Sequence, residues 1–256
     1  MKFIKRVLFL IFSERIYFRI VSSFFFILYF SGLLKISGRF RMHYLVSRLI
    51  KEGDTIIDIG ANLGYYTRIF ARATGSKGLV WAVEPVPLYR EVLRLNTRRL
   101  SNILILPYAL GDKQAVKHMG IPGEQPYRHG LTRIMAKDEQ GVKPGLEVEV
   151  KTPSDLFSNL ERIDYIKCDI EGYEDRVIPG FMEIIRRDRP LIQIEIEPSN
   201  RKQINDILSR EGYKPYLPHK KGLAEISISE KYNDDLLYIH RNSYDQIKKF
   251  INNRNI

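Results

Sequence analysis

Residues 164–175 read "DYIKCDIEGYED", a short apolar run that ends in the acids Asp169, Glu171, Glu174 and Asp175. A carboxylate at the tip of a strand is solvated, paired, or used to orient a hydroxyl and accept its proton. Gly172 lets the chain turn out of the strand. Glu174 and Asp175 then fall in the first turn of the next helix, where acids complement the positive end of the dipole. That gives those two a structural role and leaves Asp169 and Glu171 as candidates for chemistry. Cys168 alternates away from its neighbours and reads as core packing. As the only cysteine it excludes an intramolecular disulfide and a multi-cysteine zinc site, and it fits a reducing compartment.

A second group of residues has the spacing of a nucleotide site. "DIGANLGYYT" at 58–67 carries D-x-G-x-x-x-G, from Asp58 through Gly60 to Gly64. The dinucleotide pattern G-x-G-x-x-G needs a middle glycine so that backbone can touch a pyrophosphate. Asn62 stands in that place. A ligand without a pyrophosphate, with an amino-acid tail and a nucleoside, fits better: S-adenosylmethionine, with Gly60 letting the backbone pass close to its tail. Glu84 ends the next apolar run, "GLVWAVEP" at 78–85. An acid there can accept both hydroxyls of a ribose. The alternative is a purely structural turn with Glu84 in solvent.

These residues need a scaffold, and the chain supplies one from Gly53 onward. "DTIIDIG" (54–60), "GLVWAVEP", "NILILPYALGD" (102–112), "DYIKCDI" and "LIQIEIEP" (191–198) read as five strands. Amphipathic helices are expected at about 62–73, 87–100, 174–187 and 200–211. Apolar runs alternating with such helices predict a parallel sheet covered on both faces, a doubly wound α/β fold. Ligands of such folds bind beyond the carboxyl ends of the strands. "GYKPYLP" (212–218) and "DLLYIHR" (235–241) are expected to close the sheet as a hairpin. The Gly- and Pro-rich stretch 111–150 breaks the alternation. At 256 residues and 44% hydrophobic the chain can bury one good core. It divides into a basic apolar segment, 1–50, and a catalytic domain, 51–256.

"IIDIGANLGYYT", "AVEPVPLYREVLRLN", "YALGD" and "IKCDIEGYEDRVIPG" occur in this order. Together they resemble the FkbM-type S-adenosylmethionine-dependent methyltransferases over about residues 53–198. The resemblance implies a class I methyltransferase (Rossmann-like) fold, mostly parallel in its sheet, and O-methylation of sugar or polyketide hydroxyls. By position, it assigns Asp58, Gly60, Asn62, Gly64, Tyr66 and Thr67 to the methionine end of the cofactor. Glu84 falls to the ribose, and Ala109, Leu110 and Asp112 lie near the adenine. Pro107 and Tyr108 replace the small polar residue that relatives often carry there. In this fold Asp169 faces the transferring methyl, where it can hold the alcohol in line and take its proton. Glu195 and Glu197 on the neighbouring strand, with Asp169, could offer hard oxygen ligands to Mg²⁺; alternatively they are bonded to a loop or solvated. His129, in the broken stretch, is a candidate base or sugar contact, or an exposed loop residue.

The charge is unevenly distributed. Of a net +11, residues 1–51 hold ten Lys and Arg against the single acid Glu14, and the remainder is nearly neutral. That argues against nucleic acid as the partner. The apolar runs "VLFLIF" (7–12) and "IVSSFFFILYFSGLL" (20–34) lie among these basic residues. The longer is short of the roughly 20 residues a spanning helix needs, and no small-x-small cleavage site follows it. Aromatic runs between Lys and Arg suit an interfacial helix on an anionic membrane through residues 1–40; a packed cap on the domain, a signal or a span are the alternatives. The expectation is a cytoplasmic enzyme, peripheral at the inner membrane face, acting on a sugar or glycolipid. Two other readings compete. Lys167, Asp169 and Glu195 make part of the tetrad of an RNA 2′-O-methyltransferase, but a second lysine has no evident place and the [DN]-P-P-[YF] motif of base methylation is absent. A non-catalytic, membrane-held cofactor-binding protein is the other. The acceptor, the methylated position and the oligomeric state are not encoded in these motifs.

Overall fold

The computed structural model describes residues 9–120, 133–134, 145–220, 222–227 and 235–251. Five strands run parallel at its centre: β1 (Thr55–Ile59), β2 (Leu79–Val83), β3 (Ile103–Leu106), β8 (Tyr165–Cys168) and β9 (Leu191–Ile194). β10 (Tyr213–His219), β11 (Gly222–Glu225) and β12 (Leu236–His240) complete an eight-stranded sheet in the order β3-β2-β1-β8-β9-β12-β10-β11. The expected hairpin partners do pair, but β12 inserts antiparallel between β9 and β10. The chain leaves β1 toward β2 and β3 on one side and returns to β8 on the other. The crevice above β1 and β8 is therefore the topological switch point, where open α/β sheets bind ligands.

Two expectations needed correction. The run 102–112 is not one strand: Pro107 ends β3, and β4 (Ala109–Leu110) belongs to a separate four-stranded sheet. That sheet also holds β5 (Ala115–Gly120), β6 (Arg133–Ile134) and β7 (Leu146–Lys151). "LEVEVK" in β7 alternates with period two, which is the signature of a half-buried strand. The helix expected at 174–187 is broken into α6 (Glu174–Val177), a 3₁₀ turn (Ile178–Phe181) and α7 (Met182–Asp188). Pro179 and Gly180 are the cause, one lacking a donor and the other without a side chain to hold the helix.

Strand alternation sorts the core into two layers. Ile57, Ile59, Ile166, Cys168, Ile192 and Ile194 are buried on one face with Phe157, Phe181 and Leu208. Ile56, Val80 and Tyr165 face the other way, toward Ile69 and Phe70 of α3 (Tyr65–Thr74). The N-terminal segment belongs to this second layer. α2 (Arg41–Leu49) contributes Met42, Leu45, Val46 and Leu49 to it. α1 (Glu14–Phe30) buries Tyr17 and Phe18 against Leu63 and against Tyr89 and Val92 of α4 (Pro87–Thr97). Residues 9–50 thus share the core of the domain. Among the described residues no helix is long and apolar enough to cross a membrane.

Candidate active site

The turn after β1 is built from left-handed backbone. Gly60, Asn62 and Gly64 have φ of 73, 50 and 84°, and Asn62 tolerates this because its Oδ1 accepts from Leu63 N at 2.8 Å. Gly60 is required for a reason other than ligand approach. A Cβ there would stand 1.9 Å from the carbonyl oxygen of Asp169, so its bareness lets the β1 and β8 turns abut. Gly60 N and Ala61 N donate to Val83 O at 3.1 and 3.0 Å, fixing the turn to β2.

Glu84, at the tip of β2, is buried and binds both turns beside it. Its Oε2 accepts from Asn62 N and its Oε1 from Val86 N, each at 2.8 Å. Burial raises its carboxyl to about 7, with the two backbone N–H groups and Arg90 pulling the other way. Each oxygen keeps a lone pair for a further donor.

Beneath the crevice a polar row crosses the three central strands. Asp58, Lys167 and Gln193 stand in register on β1, β8 and β9, and all three are buried. Asp58 accepts from the Thr67 hydroxyl at 2.5 Å and lies 3.8 Å from the Lys167 Nζ. Burial raises the Asp58 carboxyl, against the pull of Lys167 and Thr67. Lys167 Nζ donates to Asp169 Oδ2 at 3.0 Å. Burial alone would lower the ammonium, but Asp169 and Asp58 outweigh it and keep it charged. Gln193 accepts from the Tyr165 hydroxyl at 2.8 Å and donates to Asp235 at 2.5 Å. Tyr66 lies over this row, its ring centroid 5.1 Å from the Lys167 Nζ and 4.0 Å from the ring of His43 on α2. Burial, then Lys167, drives the His43 imidazole down to about 3, with Asp169 opposing, so it is neutral at physiological pH.

The carboxylates of the opening motif meet here. Ligand oxygens of Asp169, Glu171 and Glu195 all lie within 4.8 Å of one another. Burial would raise Asp169, yet Lys167 and a hydrogen bond from Glu195 hold it below the ordinary carboxylate range. Glu195 is raised by desolvation and by Asp169. The two carboxyls titrate as a pair in which the charge is favoured on Asp169, beside Lys167. Glu171 is raised to about 7, by burial first and then by Asp169, Glu174 and Glu197. Its φ of 55° is left-handed backbone that costs a non-glycine residue about 1 kcal/mol or more. Glu174 holds the turn in that shape: its Oε1 accepts from Ile170 N at 3.0 Å and Gly172 N at 3.3 Å.

Of the residues singled out in sequence, Asp58, Gly60, Asn62, Gly64, Tyr66, Thr67, Glu84, Asp169 and Glu171 gather at this crevice. Thr67 and Tyr66 point inward, to Asp58 and between His43 and Lys167. Ala109 and Leu110 are buried in β4 against β7, and Asp112 is exposed, 3.9 Å from Arg176 of α6. No bond links these three to the crevice among the described residues. His129 lies outside the described residues. Cys168 is fully buried, and burial raises its thiol, which suits a core residue.

A family model described as the methyltransferase FkbM domain matches residues 58–215, more than half of the chain. The chain belongs to the FkbM methyltransferase family. Its fold is that of the class I S-adenosylmethionine-dependent methyltransferases. The crystal structure of methyltransferase FkbM from Methylobacillus flagellatus KT superimposes with a TM-score of 0.51 at 19% identity, covering 75% of this chain and 44% of that one. Methyltransferase sdnD of Sordaria araneosa is 26% identical over 193 residues, 62% of this chain and 73% of its own length. Protein-L-isoaspartate O-methyltransferase 1 of Archaeoglobus fulgidus is 30% identical over 59 residues, covering 22% of this chain and 27% of the relative. The chain thus spans less than half of two of these three relatives.

Beside the family motif stand Gln193 and His43, which the sequence reading does not single out, and Lys167, which enters it only for an RNA 2′-O-methyltransferase. Lys167 and Gln193 occupy the inward face of apolar strands, two residues before Asp169 and Glu195 respectively. A polar residue inside a continuous apolar run was the available signal. His43 carries no local signal, because its place depends on how α2 packs against α3.

Proposed function

We propose that this FkbM-family protein is an O-methyltransferase for a hydroxyl of a sugar, glycolipid or polysaccharide precursor, working peripherally at the inner face of a membrane. The observation that carries the reading is the carboxylate group at the end of β8, where one acid is ionised and anchored and another is set near neutrality. S-Adenosylmethionine, when bound, supplies a methyl group made electrophilic by its sulfonium. The residues present fit it. The left-handed turn Gly60–Gly64 closes the end of β1, and Glu84 at the end of β2 has two carboxylate oxygens, each accepting one backbone N–H and able to accept another donor. The acids at the end of β8 complement a positive sulfur.

Asp169, held ionised by Lys167, accepts a hydrogen bond from the acceptor hydroxyl and orients it. Glu171 then takes the proton, since a carboxyl near 7 is matched to that task at neutral pH. Asp169, Glu171 and Glu195 have the oxygen donors for a divalent cation, but Lys167 already pairs with Asp169 at 3.0 Å, and no step of the reaction is routed through a metal. RNA is disfavoured on the same geometry: Lys167 is committed to Asp58 and Asp169 beneath Tyr66, and the charge of the body is nearly balanced.

The test compares glycolipids and surface polysaccharides from cells with and without the gene by mass spectrometry. The reading expects one species to become lighter by a methylene in the deletion strain and to be restored by the wild-type gene. Unchanged glycans alongside a lost methyl mark on RNA would reject it.

A further inference from the structure

α1 has two apolar faces, and a helix that only caps a domain needs one. The inner face, Phe18, Ser22, Phe26 and Tyr29, is buried. Phe25 and Phe26 meet Tyr65, in the first turn of α3, with ring centroids 4.7 and 6.0 Å apart. The outer face repeats at intervals of four and three: Ile16, Ile20, Phe24 and Ile27 are 46, 37, 61 and 65% exposed. The stripe continues past the helix into Phe30, Leu33 and Ile36, the last 90% exposed. Together with Arg19 and Ser23, the four helical residues line a shallow open furrow. Contiguous apolar surface of this extent on a soluble face marks an interaction site.

We propose that this outer face of α1 is a docking surface for an anionic lipid bilayer. The proposal rests on the peripheral-membrane reading above and assigns it to particular side chains. Charge selects the occupant. The segment 1–51 carries ten basic residues against one acid, and Lys35 and Arg39 stand exposed just beyond the helix. A second copy of the chain would bring two like-charged rims together, since a two-fold contact is self-complementary. A bilayer with anionic headgroups offers the opposite charge above an apolar layer, the environment of an interfacial helix. The inner face fixes α1 to α3 and α4, so docking gives the enzyme one orientation, with the helix lying in the plane of the surface.

Removing residues 1–40 would uncover Leu63 and Tyr89, so point variants of the full-length chain are the better probe. Phe24→Asp/Ile27→Asp tests the apolar face and Lys35→Glu/Arg39→Glu tests the rim. Binding is read by co-sedimentation with phosphatidylglycerol–phosphatidylcholine vesicles and with pure phosphatidylcholine vesicles. S-Adenosylmethionine binding by calorimetry and mass by light scattering are measured in parallel. The expected result is binding of wild type to the anionic vesicles alone. Each double variant should lose about tenfold or more of it while remaining folded and binding S-adenosylmethionine as wild type does. Vesicle binding unchanged in Phe24→Asp/Ile27→Asp overturns the proposal. So does a wild-type dimer that ignores vesicles and falls apart in that variant, which would assign the face to a second copy. A wild type that binds vesicles but not S-adenosylmethionine would instead remove the catalytic reading and leave this one standing. Should the double aspartate variant misfold, Phe24→Ser alone, with weaker vesicle binding expected, replaces it.

Discussion

Asp169 has an ammonium 3.0 Å away and Glu195 hydrogen-bonded to it, which suits the proposed role of hydroxyl anchor and makes it a weak base. Glu171 has neither partner, and its surroundings raise its carboxyl to about 7. Below that pH it is protonated and cannot accept; above it, it can. Turnover at saturating S-adenosylmethionine should therefore rise with pH through about 7, and the limb should vanish in Glu171→Gln. Glu84 also sits near 7, but at the cofactor end, so saturation with cofactor separates the two. Both Glu171→Gln and Asp169→Asn should lose roughly 10²–10⁴ in turnover, with S-adenosylmethionine affinity within a few-fold of wild type. Equal loss of affinity and turnover in Asp169→Asn would make that residue a cofactor ligand. The acids themselves were readable from "CDIEGYED". Their division of labour was not, because it depends on Lys167 and Glu195 arriving from the strand interior and the next strand.

Two turns, after β1 and after β8, form the site by touching. Gly60 is the contact point, and its absent side chain is what allows the Asp169 carbonyl to approach. Sequence spacing assigned Gly60 to a ligand loop and suggested that the missing Cβ makes room for a ligand tail. The space is filled by the neighbouring strand's backbone. Gly60→Ala should accordingly separate the turns, since a carbonyl oxygen cannot give way as a flexible side chain can. The expected outcome is loss of S-adenosylmethionine binding together with a lower Tm, read by calorimetry and thermal denaturation. A variant of wild-type Tm that merely binds the cofactor weakly would restore the ligand-tail explanation. The strands were legible because each is an apolar run ended by Gly, Pro or an acid. The break at Pro179–Gly180 was legible too and was passed over in favour of the longer periodicity. β4 and β5 were obscured by Gly and Pro in the stretch around them.

Across the whole molecule, residues 9–50 and the central sheet pack as one folded body. α2 brings His43 onto Tyr66 and into the electrostatic reach of Asp169, while α1 covers the first turn of α3 and exposes a second apolar face. Sequence showed the segment's charge and apolarity, which predict a membrane surface. It could not show that one side of the same helix is also core, since both faces of α1 read as hydrophobic. The parallel sheet was expected from the strand–helix alternation, whereas the switch point between β1 and β8 emerged from the strand order. Methyl transfer to a hydroxyl of a sugar-bearing acceptor is the proposed reaction. The most direct measurement uses S-adenosylmethionine labelled in its methyl group, the full-length protein, and glycolipid and polysaccharide fractions from the deletion strain. Label is expected in one of these fractions, retained through mild alkali because a methyl ether survives base, and absent with Asp169→Asn. Label released as methanol by mild alkali, or label recovered only in RNA, would contradict the proposed reaction.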